Sequence, residues 1–105
     1  RTVLWLGQLH AMNAVATWLG EQPMSLAPNP RWGESDAGAM ALAYVLLVTG
    51  DVVKIDATAE ISRLPGILQP YGKSYDIALV PRSNTNESWL LLGNRKGVMK
   101  YMPAP

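Results

Sequence analysis

Residues 35–51 read Ser-Asp-Ala-Gly-Ala-Met-Ala-Leu-Ala-Tyr-Val-Leu-Leu-Val-Thr-Gly-Asp, and the way they fold decides the architecture. From Ala37 to Val48 the only polar side-chain group is the Tyr44 hydroxyl. So apolar a run in a chain of 105 residues belongs in the interior. Ser35 or Asp36 can cap a helix, Asp36 suits the positive end of its dipole, and Gly50 suits a left-handed exit. On a helical wheel the apolar residues occupy the whole circumference, which implies burial on all sides. The Ala-rich start weights the reading towards a helix near 36–49. A β reading competes with it. Tyr44–Val48 is β-rich, and Thr49-Gly50-Asp51 ahead of Val52-Val53 would close a hairpin.

Upstream, Thr2 to Gly20 contains no charged residue. Trp5, Leu9, Met12, Ala16 and Leu19 fall on one helical stripe, which Leu4, Val15 and Trp18 widen. Trp5 and Trp18 stand near the two ends, as interfacial anchors of a membrane span do. Gln8, His10 and Asn13 would then lie in the hydrocarbon, at a cost, so an amphipathic helix near 3–20 lying on a sheet is the preferred reading. Its over-wide apolar stripe invites a partner. Between the two helices, Gln22 to Glu34 reads as a loop because Pro23, Pro28 and Pro30 interrupt regular structure. Arg31 and Trp32 on that loop have the composition of an interface anchor, unless Trp32 folds back onto the core.

Downstream the period changes to two. Val53, Ile55, Ala57, Ala59 and Ile61 alternate with Lys54, Asp56, Thr58, Glu60 and Ser62, which predicts one strand over 53–62. A second strand is expected over 75–80, stopped by Pro81. Residues 89–92 and 98–102 form the clearest hairpin, two apolar runs joined by Gly93-Asn94-Arg95-Lys96-Gly97. In it Trp89 and Leu91 share one face and Leu90 and Leu92 the other, while Val98, Lys100 and Met102 alternate with Met99 and Tyr101. In the two strands only Lys100 is charged, so both faces are expected to be covered, by helix on one side and by helix, loop or another subunit on the other. Self-association or partner docking through the hairpin follows as an expectation, with Met99 and Tyr101 among its contacts.

Composition bounds the rest. The chain is 49% hydrophobic and 16% charged, more apolar than an average soluble domain of one core. Net charge is +1, but residues 73–105 hold five basic and two acidic side chains. The absence of cysteine excludes disulfides, thiol catalysis and thiolate metal sites. Arg1 at the start and Pro103-Ala104-Pro105 at the end suggest a single domain, 1–105, cut from something longer.

Catalytic constellations are scarce. Gly66 and Gly72-Lys73-Ser74 miss the phosphate-loop spacing by one residue, and a strand rather than a helix is expected to follow. His10 is the only imidazole, and its nearest acid in sequence is Glu21. A small hydrolase-like enzyme around His10 would need both partners of a triad from tertiary contact. Asp56 and Glu60 make a carboxylate pair whose ordinary reading is solvated charge. No metal-ligand set and no cofactor motif is present. Asn86-Glu87-Ser88 fits the N-glycosylation pattern, a short motif that recurs by chance.

The expected fold is therefore α+β, a single antiparallel sheet of about four strands covered by two helices. The expected function is a non-catalytic protein–protein interaction domain, a component of a larger assembly. Its interaction residues would be Trp5, Trp18, Trp32, Arg31, Trp89, Arg95, Lys96, Met99 and Tyr101, and its partner another protein or a second copy. A nucleic-acid-binding module using the basic 93–101 hairpin is the alternative, with Trp89 stacking a base. Membrane contact would come from the start of the chain or from residues beyond it.

Overall fold

The computed structural model describes residues 17, 19–31, 41–56, 60–64, 67, 69–85 and 87–103. Among these, the structure is seven strands in two antiparallel sheets. The first sheet contains β1 (Pro23–Pro28), β2 (Ala41–Leu47), β3 (Val52–Asp56) and β4 (Ile61–Arg63), in that order. The second contains β5 (Asp76–Pro81), β6 (Ser88–Asn94) and β7 (Gly97–Tyr101), also in order. This replaces the α+β expectation of one sheet under two helices.

The correction turns on β2. Ala41–Leu47 is a strand between β1 and β3, not the core of a helix over 36–49. The hairpin alternative is what the chain adopts. Gly50, at φ +94°, makes a turn that a side chain would strain, its N–H donating to the Leu47 carbonyl at 2.9 Å. The Leu47 N–H in turn donates to the Asp51 carbonyl at 2.8 Å. The helical wheel was full for a different reason: β2 is buried on both faces, so it has no polar side. Tyr44 and Leu46 face the second sheet, while Ala43, Val45 and Leu47 pack on the opposite side with Val53 and Ile55. An irregularity in the pairing between Ala41 and Ala43 shifts the alternation, which puts Ala41 on the same side as Tyr44.

Two further boundaries differ from expectation. β1 lies inside the proline-rich segment read as loop, with Pro23 and Pro28 at its two ends. At the ends of an edge strand a missing N–H does little harm. The strand expected over 53–62 is two, because the chain turns back between β3 and β4. The Asp56 N–H donates to the Glu60 carbonyl at 3.1 Å, and its carboxylate accepts the Glu60 N–H at 3.0 Å. The helix expected over 3–20 lies outside the described residues, apart from Thr17, Leu19 and Gly20. Among the described residues, no helix is long and apolar enough to cross a membrane.

The two sheets pack through one layer of side chains. Ala27, Ala41, Tyr44, Leu46 and Val52 from the first sheet meet Ile77, Leu90 and Leu92 from the second, with Leu64, Ile67, Leu79, Met99 and Tyr101 at the margin. Each fully buried aliphatic, such as Leu46, Leu90 or Leu92, contributes about 1.5–3 kcal/mol by leaving water. Burial and the neighbouring Tyr101 hydroxyl push the Tyr44 phenol up to about 12. β1 lies against β5, and there the sheets are also joined by hydrogen bonds. Arg31 Nη1 donates to the carbonyls of Thr85 (2.6 Å) and Glu87 (3.3 Å), and Nη2 to that of Arg82 (2.7 Å). Arg31, three residues past the end of β1, thus holds the loop between β5 and β6.

Candidate interaction surface

Strands β5 to β7 alternate, and the core takes one set. Ile77, Leu79, Leu90, Leu92, Met99 and Tyr101 point between the sheets. The other set, Ala78, Val80, Trp89, Leu91, Val98 and Lys100, therefore forms the outer face. Register brings it together: Ala78 opposes Leu91, Leu91 opposes Lys100, and Val80 opposes Trp89. Val98 is 62% exposed and Val80 44%, values unusual for valine in a sheet. The face is largely apolar, with Ala78, Val80 and Val98 exposed and Trp89 and Leu91 half-buried.

Trp89 carries two cations. Lys100 opposes Leu91 and reaches diagonally to put Nζ 4.5 Å from the Trp89 ring centre. The Arg82 guanidinium carbon lies 6.0 Å from the same ring, and its Nη1 also pairs with Glu87 Oε1 at 3.0 Å. Lys100 has no carboxylate partner among the described residues, and neither do Arg95 and Lys96 at the hairpin tip. Three unpaired cations thus lie along one edge of the sheet.

The hairpin is held from below. Asn94 Oδ1 accepts the Lys96 N–H at 2.8 Å, while Asn94 Nδ2 donates to the carbonyls of Tyr71 (2.9 Å) and Lys73 (3.1 Å). Gln69 then links the 69–74 turn to the β2–β3 turn. Its Nε2 donates to the Gly50 carbonyl at 2.7 Å, and its Oε1 accepts from the Ser74 N–H (3.0 Å) and Oγ (2.8 Å). The crease between this turn and the hairpin, lined by Gln69, Tyr71, Ser74, Leu92, Asn94 and Met99, has no room for a water molecule. These contacts fix the tip and turn the Arg95 and Lys96 side chains to solvent.

Of the residues singled out from sequence, Trp5, Trp18 and Trp32 lie outside the described residues, as does His10. Arg31 makes the internal clamp already described. Trp89 meets Lys100 on the outer face, while Arg95 and Lys96 stand at the hairpin tip, at the other end of the strands. Met99 and Tyr101 turn inward to the core margin, so Val98 and Lys100 are the residues this strand presents outward. The remaining members, Ala78, Val80 and Leu91, had only their alternation to mark them. Among the described residues no three His, Cys, Asp or Glu side chains cluster as metal ligands. Comparison with protein families, with curated proteins and with solved structures gives no match for this chain.

Proposed function

We propose that the chain is a non-catalytic protein–protein interaction domain that docks through the outer face of its second sheet. The carrying observation is the apolar set of exposed Val80 and Val98 beside half-buried Trp89 and Leu91, bordered by Lys100 and Arg82. An aromatic and an arginine in an apolar patch with a charged rim is the composition of an energetically dense interface. The face belongs to a hairpin pinned at its tip, so little ordering entropy is lost on docking. The test is a photo-cross-linking residue placed at Val98, at Val80 and, as a control, at Ser62 in β4, in extracts of the cells that express the chain. Adducts of defined mass from positions 98 and 80 and none from 62 are expected. Equal labelling at all three overturns the reading.

A nucleic-acid module is the second reading, supported by Lys100 over the Trp89 ring and by Arg95 and Lys96, without carboxylate partners among the described residues, at the hairpin tip. It requires low-salt binding to single strands that is lost when Arg95 and Lys96 are neutralised.

A further inference from the structure

Four sheet edges exist among the described strands, and three are blunted. β1 is bounded by Pro23 and Pro28 and lies against β5, which ends in Pro81. β4 has only three residues, with Ser62 and Arg63 exposed. β7 is different. Its five residues contain no proline, they pair on one side with β6, and no described strand pairs with the other side. Alternate residues of such a strand direct N–H and C=O outward, where another chain can complete the ladder.

We propose that the free edge of β7 takes up an extended, acidic segment of a partner protein as a fourth strand of the second sheet; this rests on the outer-face reading above. The ladder supplies main-chain bonds, and side chains at every second position of the added strand fall beside Val98 and Lys100. Charge selects the sequence. Lys100, Arg95 and Lys96 all lack carboxylate partners among the described residues, and all three belong to this strand or its turn. Glutamate or aspartate alternating with apolar residues would set its acids on the outer face beside Lys100, and its apolar residues on the inner face beside Met99 and Tyr101. A second copy fits worse, since pairing β7 with itself sets the same cations against each other on one ladder. A nucleic acid fits worse too, because the Lys100 ammonium already sits 4.5 Å from the Trp89 ring and a strand edge offers a base chain no ladder.

The experiment follows amide hydrogen exchange of the whole chain by NMR, with an eight-residue capped peptide of alternating glutamate and valine. Slowed exchange at the outward-directed amides of β7, with β4 amides unchanged, is expected. Lys100→Glu, an exposed substitution that leaves the spectrum folded, should weaken binding about three- to tenfold. The same peptide N-methylated at alternate residues should not bind, nor should a lysine–valine peptide or a twelve-residue oligothymidylate. Binding that survives N-methylation, or a lysine–valine peptide that binds as well, overturns the proposal. Protection of β7 by the oligonucleotide overturns it in favour of nucleic acid. If no peptide protects β7 while Val98 still cross-links, acidic strand addition is wrong and the outer-face reading stands. If Val98 is silent as well, both fall.

Discussion

A Cβ placed on Gly97 would fall 2.8 Å from Cε2 of Tyr71, and 2.9 Å from two more atoms of that ring. The absence of a side chain at the start of β7 is what lets the 69–74 turn close over the hairpin. Gly97→Ala should therefore displace the ring and destabilise the fold by about 1 kcal/mol, the low end of overpacking because Tyr71 is 47% exposed and can move. In a Tyr71→Ala background the same change should be neutral or stabilising, since alanine suits a strand better than glycine. Urea denaturation of the four proteins in this cycle measures the coupling.

Arg31 makes its bonds to three carbonyls of one loop. Replacing it with alanine should cost about 1–3 kcal/mol, as carbonyls that were paired to a charged donor must find water. Amide exchange should accelerate first between Arg82 and Ser88. Lysine, a single point donor, should restore only part of the loss.

Tyr44 predicts a stability change at high pH. Its phenol is pushed up to about 12, above the ordinary 10, because burial disfavours the phenolate. Below the unfolded value both states are protonated and the contribution is complete. As pH rises from there through the folded value, only the unfolded state releases the proton, so stability falls by roughly 2–3 kcal/mol. Tyr44→Phe should flatten that decline. It should also remove the latest-titrating phenol from an absorbance titration.

Neighbouring residues in β6 should respond oppositely to truncation. Leu90 is fully buried between the sheets, and its replacement with alanine should cost about 2–5 kcal/mol. Leu91, on the outer face, should cost less than about 1 kcal/mol, in the range of ordinary surface changes. Met99→Lys and Tyr101→Lys should unfold the chain rather than report on docking, because both side chains reach the core margin. Val98→Lys should keep the melting temperature and test the interface instead.

The hairpin was legible because two apolar runs with a Gly-bounded polar tip have few other folds. Its alternation was readable too, but not which set faces inward. Trp89 with Leu91, and Leu90 with Leu92, are equally apolar, and only packing against Ile77 and Tyr44 separates them. β2 was illegible as a strand for a related reason. A strand buried on both faces and a helix buried all round share one composition, and periodicity carries no information between them. β1 was hidden by prolines that fall only at its ends. The β3–β4 turn was hidden by an alternation that runs on through 57–60 as if the strand did not stop.

Both sheets are meanders, so every described strand pairs only with a chain neighbour, and the described chain passes from one sheet to the other once, between Arg63 and Asp76. No strand is exchanged between the layers, so separating them requires no unthreading. A nick in that connection would leave two fragments, each with its own ladder complete and the face that met the other sheet newly bare. Mixed together, the halves should find each other through those faces and recover a whole domain, which makes this crossing a natural place to split the chain for a complementation reporter.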